Sequence, residues 1–183
     1  MKPTRILVLL TSAVLVWSAA APARAQNADR RDIGIAADIS RQVDRYPQLT
    51  IFDYVSGTVD NGVVTLTGKV TMPFKKTDIG RKASQVTGVK EVINNIDVLP
   101  VSSYDEELRL RIARAIYGNS AFWQYGARAN PPIHIIVEHG HVTLTGVVNS
   151  NVDRMLARSL ATGFGELSVT NDLRTDAEMR SEP

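Results

Sequence analysis

The stretch "DNGVVTLTGKV", beginning at Asp60, returns as "EHGHVTLTGVV", beginning at Glu138, 78 positions further on. Self-similarity at such a period means that one supersecondary unit is encoded twice, so any fold proposed for one copy must also suit the other. Gly62, Val64, Thr65, Leu66, Thr67 and Gly68 align with Gly140, Val142, Thr143, Leu144, Thr145 and Gly146. Upstream, Ile35, Ile39 and Val43 recur at four-residue spacing and correspond to Leu108, Ile112 and Ile116, one helical stripe in each copy. Downstream, each copy runs through a helix-length stretch that closes near a glycine and then enters a β-rich run, "KEVINNIDV" or "ELSVTNDLR".

Each copy, of about 70 residues, therefore reads helix, strand, strand, helix, strand. The two middle strands form a hairpin, because "DNG" and "EHG" place glycine where a tight turn needs a positive φ. Alternation turns Val64 and Leu66 inward and Thr65 and Thr67 outward, and Val142/Leu144 and Thr143/Thr145 repeat the rule. "SYDE" from Ser103 and "SNVD" from Ser150 have capping-box spacing and predict helix starts. A three-stranded sheet needs one face covered, and two helices per copy suffice. The expected fold class is α+β with two tandem αββαβ domains, residues 31–100 and 101–175, followed by a polar tail at 176–183. The connection from Val98 to Tyr104 is short, which places the copies close together.

The hairpin motif G-x-V-x-L-x-G, here "NGVVTLTGKV" and "HGHVTLTGVV", and the closing strands "VKEVINNIDV" and "ELSVTNDLRT" resemble the BON domain, named for osmotically induced periplasmic and nodulation proteins. The resemblance extends from about Ile33 to Thr175, and a signal peptide followed by two such domains is the layout of OsmY-like periplasmic proteins. It implies a non-catalytic role: attachment to phospholipid or to other envelope proteins, with links to osmotic stress and envelope integrity. The second copy departs from the first by about five extra residues ahead of its first strand, and the lipoprotein cysteine of some two-domain relatives is absent.

Lys2 and Arg5, the uncharged run from Ile6 to Ala20 and the small-x-small pattern at Ala23 and Ala25 predict a signal peptide over residues 1–25, cleaved before Gln26. The apolar run is shorter than the roughly 20 residues that span a bilayer, which argues against a retained anchor. Cleavage would remove three of 21 basic side chains (Lys2, Arg5, Arg24) and none of 19 acidic ones, taking the formal charge from +2 to −1. The basic character thus resides in the leader, and nucleic acid is not an expected partner. With no cysteine in the chain, disulfides, lipidation of an N-terminal cysteine and thiol chemistry are excluded. The expected location is the periplasm, as a soluble protein and not a lipoprotein.

Function is sought where the copies differ. In "DIGIAADISRQVDRY" the face opposite the core stripe carries Asp38, Arg41, Asp44 and Arg45. In "EELRLRIARAIYG" the corresponding face carries Leu110, Ala113 and Tyr117, a second apolar stripe flanked by Arg109 and Arg114. "AFWQYGAR" follows at once, adding Phe122, Trp123, Tyr125 and Arg128 inside the insertion. Apolar side chains bordered by arginine, with Trp and Tyr beside them, suit an interfacial contact with anionic phospholipid at the inner or outer membrane surface. The same stripe also suits a seam against the other domain, with the aromatics plugging the joint. A further alternative is a chaperone-like module holding envelope proteins through a sheet edge or the aromatic segment.

Other candidates carry less. His134, His139 and His141 lie close in sequence, but a metal site asks for a third ligand and an ordered outer shell, so no metal or cofactor is expected. Lys75, Lys76, Arg81 and Lys82 read as a solvated helix face, as do Arg154 and Arg158 opposite Val152, Leu156 and Leu160, with a secondary headgroup contact as the alternative for both sets. Asp105, Glu106 and Glu107 read as first-turn acids favoured by the helix dipole. With no nucleophile and base pairing, no phosphate loop and no zinc helix motif, the sequence reads as a binding module and not as an enzyme.

Overall fold

The computed structural model describes residues 22–128 and 130–181, with side chains in the first helix from Arg31 onward. The expected signal peptide lies largely outside the described residues. The first repeat comprises α1 (Pro22–Asp44), β1 (Tyr54–Asp60), β2 (Val63–Val70), α2 (Pro73–Ser84) and β3 (Glu91–Val98). The second comprises α3 (Ser103–Tyr117), a 3-10 turn (Ser120–Phe122), α4 (Trp123–Gly126), β4 (Ile133–Glu138), β5 (His141–Val148), α5 (Asn151–Leu160) and β6 (Ser168–Thr175), with α6 (Asp176–Ser181) appended. Part of the expected polar tail is therefore helical. Thr175 and Glu178 cap this helix reciprocally, with the Glu178 amide on Thr175 Oγ1 at 3.2 Å and the Thr175 amide on Glu178 Oε2 at 2.7 Å.

The αββαβ order holds in both halves. Each sheet has its hairpin strands antiparallel and its last strand parallel to the middle one, in the orders β1-β2-β3 and β4-β5-β6. Alternation assigns the inward positions as expected: Val64 and Leu66, and Val142 and Leu144, are buried under the helices, whereas Thr145, expected to face outward, is buried as well. Ile35, Ile39, Tyr46, Ile79 and Ala83 complete one core, and Leu108, Ile112, Ile116 and Ala157 the other.

Three recurring devices fix the repeat. Asn61 and Gly62, and His139 and Gly140, all have φ between 52° and 82°, the two-residue turn that matches strand twist. Their paired N–H groups donate to a single carboxylate from the preceding helix: Asp32 at 2.6 and 2.9 Å in the first repeat, Asp105 at 2.9 and 2.8 Å in the second. Asp105 is thus a buried brace between helix and hairpin and not only a first-turn acid. The last glycine of the motif is dictated by close approach: a Cβ on Gly68 would lie 2.1 Å from the Tyr54 carbonyl oxygen, and one on Gly146 1.9 Å from that of Pro132. Finally, Asn94 Nδ2 donates to the Lys76 carbonyl and Asn171 Nδ2 to that of Arg154, both at 2.8 Å, lashing the closing strand to the second helix.

Several local expectations are corrected. The cap of α3 is Ser102, whose Oγ accepts from the Asp105 amide at 3.2 Å, and not Ser103; Ser150 caps α5 as expected. Ser103 is already helical. Lys75 is buried rather than solvated, since its Nζ reaches Asp53 Oδ2 at 2.6 Å and Thr71 Oγ1 at 2.8 Å. On α5, Leu156 and Leu160 pack against the core while Val152 stands exposed and Arg154 pairs with Glu178.

Candidate functional site

The repeats meet through the segment just before β1. Ile51 and Phe52 of the first repeat pack against the second core, and the Ile51 carbonyl accepts from the Ile135 amide at 2.7 Å. Tyr54 and His134 bring their rings to 5.5 Å between centroids, Lys69 pairs with Glu138, and Asn130 Nδ2 donates to the Asp44 carbonyl at 2.7 Å. Burial depresses the His134 pKa, with backbone carbonyls of Asp53 and Thr50 acting against it.

Beside this seam runs an apolar groove of about 610 Å3, lined by Ile51 and Phe52 on one side and by Leu110, Ala113, Arg114 and Tyr117 on the other. The second stripe of α3 therefore faces a wall supplied by the first repeat, yet remains partly open. Leu110 is 41% exposed, Arg114 is exposed, and Ala113 and Tyr117 are half-buried. Tyr117 Oη donates to the Ile133 carbonyl at 2.5 Å and accepts from the Ile133 amide at 3.2 Å, and burial pushes its pKa up, against that hydrogen bond.

The remaining candidates separate into two groups. Trp123 opens α4 at 78% exposure, on the short helix whose Gly126 lines the groove. Arg128 is exposed with its guanidinium 5.8 Å from the Tyr125 ring centroid. Phe122 and Tyr125, by contrast, are fully buried and belong to the core, where their rings lie 5.6 Å apart. They cannot meet a surface ligand. Arg109 is also buried, spending Nη2 on the Val137 carbonyl at 2.7 Å. Burial lowers its pKa, opposed by Asp105, Glu106 and Asp53. The surface part of the site is thus Leu110, Ala113, Arg114, Tyr117 and Trp123, with Arg128 near it in sequence.

The buried aromatics have a structural role that aligning the repeats makes plain. In the first repeat the amide of Thr71 donates to Asp53 at 2.7 Å, and Asp53 also receives Lys75. At the equivalent place in the second, the amide of Asn149 donates to Tyr125 Oη at 2.8 Å, and that hydroxyl donates to Asp153 at 2.7 Å. Lys75 and Asp153 occupy matching helix positions, so the polarity is reversed: a loop carboxylate meets a helix cation in one copy, and a phenol from the short α4 meets a helix carboxylate in the other. Burial, and the Asp153 carboxylate behind it, push Tyr125 up to about 12 even though the Asn149 amide pulls the other way.

Sequence reasoning passed over Ile51 and Phe52. Their signal was an adjacent Ile-Phe pair between the first helix and β1, apolar side chains with no place in either alternation pattern. Among the described residues no group of three His, Cys, Asp or Glu side chains converges to hold a metal ion, and no helix is long and apolar enough to cross a membrane. His139 sits in the hairpin turn and His141 Nδ1 lies 2.8 Å from Ser168 Oγ.

Seven chains of solved structure are similar to this one. Among them is CdsD, a structural protein of the type III secretion system of Chlamydia trachomatis, at 16% identity over 82% of this chain and 99% of that one, with a TM-score of 0.29. The C-terminal domain of CdsD is another, at 15% identity over 77% of this chain and 96% of that one, again with a TM-score of 0.29. No curated protein matches the sequence. The BON domain model matches it twice, at residues 32–100 and 105–177, beginning each time at the aspartate that braces the hairpin. With both repeats covered, the chain belongs to the BON domain family.

Proposed function

We propose that this protein is a periplasmic, non-catalytic module that attaches peripherally to anionic phospholipid surfaces and thereby supports envelope integrity or tolerance of osmotic stress. BON domains bind phospholipid membranes and are generally non-catalytic. The observation that carries the reading for this chain is Trp123: a large amphipathic ring left 78% exposed on the short helix whose Gly126 lines an open apolar groove bordered by Arg114. Inserted at the headgroup level, the indole exchanges water for the acyl boundary while its N–H stays among polar groups, and Arg114 meets phosphate. Export by the leader over residues 1–25 would deliver the chain to that surface.

The test is sedimentation with anionic phospholipid vesicles. Trp123→Ala is expected to weaken association by about 1–3 kcal/mol, the scale of burying a large apolar side chain. Arg114→Glu is expected to weaken it by about 1 kcal/mol or more, with a dependence on salt that neutral vesicles do not show. Wild-type protein remaining in the supernatant, or Trp123→Ala binding like wild type, would overturn the assignment.

A further inference from the structure

The hairpin register fixes which backbone groups the first strand of each repeat turns away from its sheet. Asp60 pairs with Val63 across the turn, so Val55, Gly57 and Val59 of β1 present their N–H and C=O groups outward, as Ile133, Ile135 and Val137 do from β4. In the second repeat the protein closes this edge itself. Tyr117 Oη satisfies both groups of Ile133, the Ile51 carbonyl takes the Ile135 amide, and Arg109 donates to the Val137 carbonyl.

Superposing the helices through Asp32 and Asp105 puts Ala36 at the place of Arg109 and Asp44 at that of Tyr117. Ala36 has no side-chain donor, and Asp44 has only an acceptor, facing Ser40 Oγ at 3.4 Å. Among the described residues nothing hydrogen-bonds the outward groups of Val55, Gly57 and Val59. In place of caps there is a slot of about 240 Å3 between α1 and β1, walled by Ala36, Ile39, Val43 and Val59 and floored by Leu66. Gly57, which lines it, has no side chain to fill it. Acids mark both ends of the edge, Asp44 and Asp60, and neither is in an ion pair among the described residues.

We propose that β1 is a receptor edge for an extended segment of another polypeptide, which joins the first sheet as a fourth strand, places an apolar side chain in the slot at Gly57, and carries lysine or arginine around it. Backbone pairing supplies the affinity, and the slot and the two acids supply the selection. A second copy of this chain fits worse: pairing β1 with itself about Gly57 carries Asp60 of each copy toward the Asp44 end of the other, where like charges repel. This binding site is separate from the groove beside Trp123 and does not depend on the lipid reading.

The experiment is amide hydrogen exchange with a short peptide of alternating lysine and valine. Exchange at Val55, Gly57 and Val59 is expected to slow by about tenfold or more at saturation, with the amides of β6 unaffected. A peptide N-methylated at alternate positions, or one with glutamate for lysine, is expected to give no such protection. Ala36→Arg combined with Asp44→Tyr, which transplants the caps of the second repeat, is expected to abolish it while cooperative thermal unfolding is retained. The proposal is overturned if those amides exchange at the free rate, if the N-methylated peptide protects them equally, or if sedimentation finds a dimer that protects them without peptide.

Discussion

The buried pair Asp53–Lys75 offers the sharpest energetic test, because it anchors the segment that builds the seam. Asp53 lies between Phe52 and Tyr54, and its carboxylate accepts from Lys75 Nζ at 2.6 Å, from the Thr71 amide and hydroxyl at 2.7 and 2.8 Å, and from the Thr50 amide and hydroxyl, both at 2.8 Å. Lys75→Met removes the cation but leaves the threonine donors in place, so its cost belongs near the lower end of the range for breaking a buried pair, about 3 kcal/mol. Asp53→Ala strands an ammonium beside a single hydroxyl and orphans two amides, which puts it near the upper end, about 5 kcal/mol. The double variant should cost less than the sum, because no charge remains buried. The pH dependence has a definite sign. Burial alone would raise Asp53, but the Lys75 and threonine hydrogen bonds outweigh it and hold the carboxyl below its ordinary 3.8. The folded state therefore releases this proton more readily than the unfolded chain; the stabilisation is complete above the unfolded value and is lost as pH falls through the folded one. Without Lys75 that loss begins at higher pH. Urea unfolding followed by circular dichroism at neutral pH and in an acid series measures both effects, on the transition of the first repeat. A penalty for Lys75→Met below about 1 kcal/mol, or an acid midpoint that does not move, would refute the reasoning.

Tyr125→Phe should destabilise the second repeat by about 1–3 kcal/mol, read by thermal melting, because it leaves the Asn149 amide and Asp153 without their shared hydroxyl. Tyr46→Ala should cost about 3–5 kcal/mol on the core-truncation scale, yet vesicle association by the folded fraction should equal wild type. Phe52→Glu puts a carboxylate on the groove wall shared with Arg114; it should weaken association with anionic vesicles by about 1 kcal/mol or more, and unchanged association by the folded fraction would remove the groove from the lipid site.

How far the sequence could be read depended on whether its signals were periodic. The αββαβ order, the hairpin turns and the inward positions follow from spacing between near neighbours, and Val64, Leu66, Val142 and Leu144 are buried as alternation requires. Lys75, a basic residue among Lys76, Arg81 and Lys82, looks solvated in the sequence until the fold brings Asp53, 22 positions earlier, against it. Composition groups Phe122, Trp123 and Tyr125, whereas the short 3-10 and α4 turns send the first and last inward and leave the middle one in water. The Asp32 and Asp105 braces span 29 to 35 positions, and no local pattern announces them.

The second apolar stripe of α3 was open to two readings, a seam or a contact surface, and the geometry divides it between them residue by residue. Arg109 and Tyr117 turn toward β4, where Arg109 Nη2 and Tyr117 Oη bond its edge, a protective task, since an unpaired edge invites pairing with another chain. Leu110 and Arg114 stay exposed beside Ile51 and Phe52. The division follows from side-chain chemistry: a guanidinium and a phenol can cap carbonyls and amides, while leucine can only offer area. The first repeat, with Ala36 and Asp44 at the capping positions, leaves its own edge open but contributes Ile51 and Phe52 to its neighbour's groove. Each copy thus lacks what the other has. Separating the repeats should uncover the Ile135 amide and the stripe of α3 together, so the seam and the groove beside it stand or fall as one structural unit.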